Sequence, residues 1–304
     1  MTSLDIVIPT YQRGALLLET IHYLQQQTIL AQRLIIVDQT DYHNDDPVAV
    51  QLQQWHTEQK INWLRLNKPS IPNAMNQGLL ASQSDYVLFL DDDIIPVKTL
   101  IEAHLQQLKH KHVVATVGQI LQPEQQAEPA LHEHYGKGFS ADLQFPFNST
   151  KVRSIRNCMA GNLVVNRLAA IACGGFDSNF VGVAYRFETE FCRRLLTHSG
   201  QQCWFVPDAC IHHLKALQGG TRSYVANFLT SARPDHSIGE YYFVLRQASG
   251  LEKVRYSAQR LISSIAARFY LRQPWWIPVR LVGELRGLLG AIMLIIKGPK
   301  LLSQ

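Results

Sequence analysis

The sequence predicts an α/β fold in which a mostly parallel, Rossmann-like sheet is flanked by helices and followed by a C-terminal helical extension. Three observations favour this class. Short apolar runs alternate with segments of helical periodicity, as in β-α-β units with right-handed crossovers. The run at residues 86–90 is apolar throughout, which suits a strand covered on both faces. With 304 residues and 46% hydrophobic content, the chain can bury a large core.

The first half of the chain carries the clearer alternation. Residues 5–10 form an apolar run closed by a proline and a threonine, and the next segment spaces Leu16, Tyr23 and Leu24 on one helical face. The same alternation then repeats. We expect strands at residues 5–10, 34–37, 61–66 and 86–90, and helices at residues 15–27, from residue 47 onward and at residues 73–80.

The second half alternates less regularly. We expect a helix from Pro96 to about Lys109 and a further helix at residues 188–199. Residues 121–156 have little periodicity and several prolines, which predicts a long functional loop. The expected strands of this half lie at residues 113–118, 163–165 and 203–207.

The charge distribution and the cysteine content indicate which partner surface and which cell compartment to expect. The net charge is +5, and residues 222–304 hold 12 basic and 4 acidic residues, so the positive charge is concentrated there. Such asymmetry suggests an anionic partner surface, either a membrane leaflet or nucleic acid. The five cysteines include no Cys-x-x-Cys pair, and no cleavable signal opens the sequence, which predicts reduced thiols in a cytoplasmic protein.

The C-terminal extension has the pattern of a membrane-surface segment. Residues 251–272 place apolar side chains on one helical face and basic side chains off it. Trp275 and Trp276 follow, and the uncharged run at residues 287–296 is too short to span a bilayer. We expect the extension to lie in the membrane interface. The alternative is a helix that caps the main domain, with both tryptophans in its core.

Three consecutive acids, Asp91, Asp92 and Asp93, follow the apolar run at residues 86–90. In open α/β sheets the ligand crevice lies at the carboxyl ends of the strands. Three ionised carboxylates repel one another, and their hard oxygen ligands suit Mg²⁺ or Mn²⁺. This stretch alone predicts either a metal site or a solvated acidic turn.

Several motifs of residues 4–222 together resemble the inverting nucleotide-sugar glycosyltransferases of family 2. These motifs are the opening strand and turn at residues 6–13, the helix start at residues 72–78, the acids at residues 91–93, the Gly-Gly-Phe-Asp turn at residues 174–177 and the segment at residues 207–213. The resemblance implies the GT-A fold. It divides the chain into a glycosyltransferase domain (residues 1–222), with a nucleotide-sugar-binding half (1–119) and an acceptor and catalytic half (120–222), and a basic amphipathic extension (223–304).

The resemblance also implies a donor site. Tyr11 is expected to pack on the nucleobase and Asp38 to accept a hydrogen bond from it, and a ring face with an acceptor suits uracil, thymine or guanine. Asn76 is expected to face the nucleotide, and Arg222 to clamp the diphosphate. The implied donor-binding residues are Pro9, Thr10, Tyr11, Arg13, Asp38, Asn76, Asp91, Asp92 and Arg222.

A divalent metal, Mn²⁺ or Mg²⁺, is implied with the donor. Asp93 and Asp91 are its expected carboxylate ligands, and His213 matches a histidine that approaches metal and diphosphate. His213 is preferred to His212 because successive residues of an extended segment point to opposite sides. The cation suits the chemistry, since cleavage of the sugar–phosphate bond leaves a nucleoside diphosphate whose developing charge it can stabilise.

Glu188 aligns with the catalytic base of the family. An inverting transfer needs one carboxylate to take the proton of the acceptor hydroxyl as that oxygen attacks the anomeric carbon. Glu190 is expected to be a helper or an ion-pair partner of Arg193 or Arg194. The alternative is that both acids are merely favoured by the dipole of a helix start. Residues 160–163 resemble a segment that lies below the donor sugar.

The sequence therefore predicts a metal-dependent inverting transfer from a UDP-, GDP- or dTDP-sugar to a saccharide or lipid-linked acceptor in cell-surface polysaccharide synthesis. The expected location is cytoplasmic and peripheral, on an anionic inner membrane face, without nucleic acid as a partner. Two alternatives remain open, a nucleotidyltransferase and a non-catalytic scaffold of the same fold. The missing glycine-rich phosphate loop disfavours the first, and the intact acids disfavour the second.

Overall fold

The computed structural model describes residues 2–43, 45–129, 135–216, 218–220, 228, 232–266 and 268–302. The first half of the chain alternates strands and helices as predicted. Its elements are β1 (Leu4–Thr10), α1 (Gly14–Leu24), β2 (Arg33–Asp38), α2 (Pro47–Thr57), β3 (Asn62–Arg65), α3 (Ile71–Ala81) and β4 (Tyr86–Leu90).

The second half forms the rest of the sheet and a group of C-terminal helices. Its sheet part contains β5 (Ile94–Pro96), α4 (Leu100–Leu108), β6 (Val113–Leu121), β7 (Arg153–Ile155), β8 (Asn162–Asn166), α5 (Arg167–Ala172), α6 (Phe187–Ser199) and β9 (Gln202–His213). The helices that follow are α7 (Ser237–Gln247), α8 (Gly250–Ile265), α9 (Arg268–Arg272) and α10 (Ile277–Lys297).

The described strands form one mixed sheet in the order β3-β2-β1-β4-β8-β6-β9-β5, with β7 paired to β9. Six of them, β1, β2, β3, β4, β6 and β9, run in the same direction. The prediction of a mostly parallel sheet is confirmed. The exceptions are β8, which lies antiparallel between β4 and β6, and the short β5 and β7, which lie antiparallel to β9. An apolar run gives no direction, so the path of the preceding segment decides it.

The register of the parallel strands brings their carboxyl ends to one edge. Thr10 of β1 lies beside Asp38 of β2, and Val7 of β1 lies beside Phe89 of β4. The acids that follow β4 therefore emerge next to the end of β1. The short β5 then pairs antiparallel with β9, so that Ile94 faces His213. This pairing sets the end of β9 against the acids.

The core lies on both faces of the sheet because side chains alternate along each strand. In β1, Ile6 and Ile8 join a cluster with Leu17 of α1, whereas Val7 faces the other side. That second cluster contains a run of aromatic residues, including Phe89 and the stacked pair Phe176 and Phe191 (ring centroids 4.1 Å apart). The five cysteines are buried free thiols.

Local signals explain several helix starts. The Asp46 carboxylate caps α2 by accepting from the Val48 amide (2.9 Å), and a proline follows at the first helical position. Ser70 caps α3 in the same way. Some predicted bounds are wrong. The strands expected to end at residues 118 and 207 continue to Leu121 (β6) and His213 (β9). The single helix expected over residues 251–272 is two helices, α8 and α9.

The C-terminal helices pack against the sheet domain. α10 lies along α7, and the approach is so close that a Cβ on Gly287 would come within 2.2 Å of the Ser237 hydroxyl. After α10 the chain returns to the Gly-Gly-Phe-Asp turn, where the Leu302 amide donates to the Gly174 carbonyl (2.8 Å) and the Ser178 amide to the Lys300 carbonyl (2.9 Å). No helix within the described residues is long and apolar enough to cross a membrane.

Candidate active site

A cleft opens at the carboxyl edge of the sheet, where β1, β4 and β9 end. It contains most of the residues that the sequence predicts for donor, metal and catalysis. Its lining includes Pro9, Thr10, Tyr11, Arg13, Asp91, Asp92, Glu188 and His213, together with Met75, Met159, Ala160 and Gly161. A larger cavity of about 600 Å³ lies elsewhere, near the amino ends of β1 and β2, and none of the predicted site residues that the structure describes lines it.

Asp93 lies directly beneath the cleft and is held from three sides. Arg13 forms an ion pair with it (Nη1–Oδ2, 2.7 Å), His213 contacts the other oxygen (Nε2–Oδ1, 3.1 Å), and the Ala216 amide donates to Oδ2 (2.9 Å). Burial opposes the negative charge, but the hydrogen bonds from His213 and Ala216 outweigh it and lower the pKa of Asp93. Asp93 is therefore an anion at neutral pH.

The contact with Asp93 also changes the pKa of His213. Burial of the ring disfavours the imidazolium, but the hydrogen bond to Asp93 and the charge of Asp91 outweigh it and raise the pKa of His213 above 6.5. The other ring nitrogen, Nδ1, lies 3.0 Å from the Gln122 side-chain oxygen, which fixes the ring orientation. Nε2 thus points toward the acids, as the choice of His213 over His212 predicts.

Asp92 is nearly fully buried under the lining of the cleft. The Thr10 hydroxyl donates to Oδ2 (2.6 Å), and Arg13 contacts Oδ1 (3.2 Å). Desolvation nevertheless dominates and raises the pKa of Asp92 to about 7. Neighbouring acids thus differ in charge, since Asp93 is ionised while Asp92 titrates near neutrality.

Asp91 is the exposed member of the triplet, with half of its side chain open to solvent. Its Oδ2 lies 3.9 Å from His213 Nε2. A Cβ on Gly161 would lie 2.2 Å from the same oxygen, so the glycine makes room for this carboxylate. Gly161 was not singled out as a site residue in the sequence, although the segment around it was.

The chemistry of these groups fits a divalent cation. Asp91 and Asp93 offer carboxylate oxygens and His213 offers an imidazole nitrogen, a set that suits Mn²⁺ or Mg²⁺. In the part of the chain that the structure describes, however, no group of three or more His, Cys, Asp or Glu side chains is already arranged to hold a metal ion. Arg13 occupies one side of Asp93, so a cation there would replace part of this ion pair.

Glu188 lies in the first turn of α6 and faces the cleft, half-buried. Phe187, the residue before it, is fully buried among aromatic rings and fixes the helix start. Residue Arg186 caps the helix in the left-handed conformation (φ 69°), which is strained for a residue with a Cβ. The packed start of α6 therefore holds Glu188 at the cleft.

Glu190 points into the protein instead. Arg194 contacts it at 2.8 Å, as one of the predicted pairings requires, and Arg246 of α7 contacts it at 3.1 Å. Arg246 also reaches Asp177 of the Gly-Gly-Phe-Asp turn (3.3 Å). The role of Arg246 was missed in the sequence, because nothing in its local pattern connects it to acids 56 and 69 positions earlier.

The structure does not bring Asp38 and Asn76 to the lining of the cleft. Both oxygens of the buried Asp38 are occupied, by the Thr40 amide (2.9 Å) and the Trp63 indole (3.1 Å). Asn76 is also buried, and its amide group bonds to both the N–H and the C=O of Phe176 (2.8 and 2.7 Å). Each residue holds a neighbouring segment in place, and Met75 lines the cleft beside Asn76.

Other predicted residues have mixed placements. Tyr11 lies at the cleft, where its carbonyl accepts from the Gly220 amide (2.8 Å). Asn162 turns into the sheet and bonds to His104 (2.9 Å) and to the Ala209 carbonyl (2.8 Å). Arg222 lies outside the described residues.

A mixed α/β sheet with acids, an imidazole and a separate carboxylate in one cleft at its carboxyl edge is typical of a doubly wound enzyme and suits group-transfer chemistry. The glycosyl transferase family 2 model matches residues 5–176, more than half of the chain. The chain belongs to this family, and the resemblance inferred from its motifs is confirmed.

The chain is also similar to individual known proteins. "Glycosyltransferase GlyG" of Streptococcus pneumoniae serotype 4 is 24% identical over 115 residues, which span 38% of each chain. S. aureus TarS 1-349 in complex with UDP-GlcNAc has a TM-score of 0.61 at 13% identity, covering 91% of this chain and 79% of that one. The mannosyltransferase PcManGT from Pyrobaculum calidifontis, in complex with GDP-Man and Mn²⁺, has a TM-score of 0.56 at 13% identity, covering 95% and 86%. The expected GT-A fold is confirmed.

Proposed function

We propose that this glycosyltransferase moves a sugar, with inversion, from a nucleoside-diphosphate sugar to a saccharide or lipid-linked acceptor, with the help of a divalent cation. One observation carries the proposal. Glu188 and the Asp91–His213 group, which come from separate motifs, line the same cleft. A proton acceptor on one side and a site for cation and diphosphate on the other are the two parts that direct displacement requires.

The donor half of the cleft suits a nucleotide sugar. Tyr11 offers a ring, and the backbone at Pro9 and Thr10 offers polar groups. When a cation replaces its ion pair with Asp93, Arg13 offers a guanidinium that can bind a diphosphate through two N–H groups. TarS and PcManGT are described with UDP-GlcNAc and GDP-Man respectively, which supports a nucleotide-sugar donor. We assign the nucleotide to the side of the cleft formed by β1 and α3.

A cation fits beside this donor. Asp91, Asp93 and His213 would hold it, and when bound it would stabilise the charge that develops on the departing diphosphate. PcManGT is described with Mn²⁺, which supports the proposal. Asp92 would remain beneath the site, hydrogen-bonded to Thr10, and contribute to donor binding.

Glu188 is the proposed base. The acceptor oxygen forms a bond to the anomeric carbon while the bond between that carbon and the diphosphate oxygen breaks. The bonding electron pair leaves with the nucleoside diphosphate, and the hydroxyl proton passes to Glu188. Glu190, which is buried and bound to two arginines, positions α6 and takes no proton.

The extension is proposed to hold the enzyme on an anionic membrane surface at the cytoplasmic face. α10 buries its small residues, Gly283, Gly287 and Ala291, and exposes an apolar stripe at Leu285, Leu289, Ile292 and Ile296. This distribution is the reverse of that expected for a helix in water. Exposed Arg268, Arg272, Arg286 and Lys297 lie on the same group of helices, which suits anionic lipid.

A donor screen tests the proposal directly. Purified protein is incubated with UDP-, GDP- and dTDP-sugars, with and without Mn²⁺, and release of nucleoside diphosphate is measured. We expect one donor class to be hydrolysed slowly without acceptor, and the rate to fall when EDTA is added. Absence of release from every donor, or full activity in EDTA, would contradict the proposed metal-dependent transfer.

A further inference from the structure

A second cleft, of about 460 Å³, lies between the start of α6, the helices α7 and α8, and the segment at residues 135–144. Its size falls within the range of small-molecule sites in proteins. The sequence indicated a long functional loop in this region but assigned it no residue. Its lining combines three tyrosines with polar and charged side chains: Tyr135, Tyr185 and Tyr256, with Arg186, Glu240, Gln259, Arg260 and Ser263.

The second cleft is continuous in sequence with the catalytic one. Tyr185 and Arg186 line the second cleft, and the next two residues, Phe187 and Glu188, line the first. The Cα atoms of Arg186 and Glu188 lie at most about 7.6 Å apart, because consecutive Cα atoms are about 3.8 Å apart. The start of α6 therefore contributes residues to both clefts and lies between them.

The lining favours a neutral, polyhydroxylated ligand. Three tyrosines supply apolar ring surface together with hydroxyl groups. The two arginines are already paired, Arg186 with Glu240 (3.4 Å) and Arg260 with Glu284 (3.0 Å). Glu284 also pairs with Arg280, so this acid is shared by two arginines. Both guanidinium groups of the lining nevertheless already bind carboxylates, which leaves them less available to a phosphate group. Ring surface combined with neutral polar groups suits a saccharide.

The backbone beside this cleft is strained. Ala184 (φ 52°) and Arg186 (φ 69°) both adopt the left-handed conformation, although neither is a glycine. Such conformations are concentrated at functional sites, where packing holds them. Arg186 is held by its bond to the Leu143 carbonyl (3.3 Å) and by Glu240. The strained segment thus fixes the wall shared by the two clefts.

α8 separates the second cleft from the exposed apolar surface. Tyr256, Gln259 and Ser263 line the cleft, whereas Val254, Ala258 and Leu261 line an apolar groove against α10. At about 100° per residue, Tyr256 and Val254 lie roughly 160° apart around the helix. One helix therefore presents a polar, aromatic face to the cleft and an apolar face to the proposed membrane surface.

From this arrangement we infer that the second cleft binds the saccharide portion of the acceptor and directs its reactive hydroxyl to Glu188. The inference rests on the proposed function and names the acceptor class, a neutral saccharide. If that saccharide is attached to a lipid, the lipid lies on the other side of α8, toward the apolar groove.

A blocking substitution tests the inference. Gln259 and Ser263 are exposed at the cleft, so Gln259→Trp and Ser263→Trp fill it without disturbing the core. Ile262→Trp is the matched control, since Ile262 is 63% exposed on the same helix and lines neither cleft. Binding of each variant is measured on an array of immobilised neutral bacterial oligosaccharides of two to six sugars, in the presence of Mn²⁺ and either UDP or GDP.

We expect the wild-type protein to bind at least one oligosaccharide, with binding reduced at least tenfold in both blocked variants and within twofold of wild type in Ile262→Trp. Absence of binding by the wild type, or equal binding by the blocked variants, would overturn the inference. Donor hydrolysis by the wild type separates the two proposals. Hydrolysis without saccharide binding rejects only the acceptor cleft, whereas cleft-dependent binding without hydrolysis of any donor rejects only the transfer reaction.

Discussion

Asp93 is held by an arginine and a histidine, and this arrangement gives the site its electrostatic character. Arg13 and His213 approach different oxygens of the same carboxylate, at 2.7 and 3.1 Å. In the absence of a metal, Arg13 and His213 neutralise the closely spaced acids, and a bound divalent cation would neutralise them instead. Cation binding is therefore coupled to the proton on His213.

We predict that Mn²⁺ binding strengthens as pH rises from 6 to 8. The pKa of His213 is raised above 6.5, and a ligating imidazole must lose its proton, so the affinity should increase by up to about tenfold per pH unit below that pKa. Calorimetric titration with Mn²⁺ and UDP or GDP measures the slope. His213→Gln should flatten it and His212→Gln, at the exposed neighbouring position, should not. An unchanged slope in His213→Gln would reject the ligand assignment.

Asp92 gives a second pH-dependent prediction, for the metal-free protein. Its pKa is raised to about 7 in the folded state, so the folded state binds a proton that the unfolded state has released above about pH 4. Stability from Asp92 is therefore present at low pH and is lost as pH rises from about 4 to 7.

The variant Asp92→Asn should lose this dependence, so its unfolding free energy should rise relative to wild type over that pH range, by on the order of 3 kcal/mol. Urea denaturation at pH 4, 5.5 and 7 measures the difference. A constant difference between the two proteins across the range would contradict the raised pKa.

At the scale of elements, the close approach of β8 to the end of β4 shapes the cleft. A Cβ on Gly161 would lie 2.2 Å from Oδ2 of Asp91, a half-exposed side chain that has room to rotate away. Gly161→Ala should therefore weaken Mn²⁺-dependent nucleotide binding by about tenfold while changing stability by less than about 1 kcal/mol. Parallel calorimetry and thermal unfolding measure both effects. Unchanged nucleotide affinity would show that the position of Asp91 is unimportant.

The contact between α7 and α6 joins the C-terminal helices to the rest of the structure. Arg246 binds two buried acids, Asp177 and Glu190, so Arg246→Ala leaves both without part of their compensating charge. We expect a loss of about 3–5 kcal/mol in unfolding free energy. Arg286→Ala, which removes an exposed arginine from α10, should cost less than about 1 kcal/mol. Equal effects in urea denaturation would contradict the proposed importance of the buried network.

At the scale of the whole molecule, the exposed stripe of α10 predicts reversible binding to anionic lipid. Leu289→Asp places a charge within the stripe and should reduce co-sedimentation with vesicles containing 30% phosphatidylglycerol by at least fivefold. Leu168→Asp is the control, because Leu168 is equally apolar and more exposed (69%) but lies on α5. Equal binding by Leu289→Asp and wild type, or equal wild-type binding to neutral vesicles, would contradict the prediction.

The sequence predicted the α/β class, and most of the candidate site residues that it singled out lie at one cleft, because both depend on local patterns. An apolar run that stops at acids indicates a strand end, and parallel strands bring such ends together. The sequence could not predict the direction of β8 or the role of Arg246, since both depend on how segments that are distant in the chain pack against each other. Asp38 and Asn76 illustrate the same limit: their motifs are present, but their side chains bond to Trp63 and Phe176 inside the protein.

We propose that two groups divide the work within one cleft: the acids after β4 bind donor and metal, and Glu188 takes the proton. Steady-state kinetics of Glu188→Gln with the best donor, beside calorimetric donor affinity, tests it most directly, with exposed Glu19→Gln as the matched control. We predict that kcat falls by about 10²–10⁴-fold in Glu188→Gln while donor Kd stays within twofold of wild type. A kcat within threefold of wild type, or an equally large loss of donor affinity, would contradict the account.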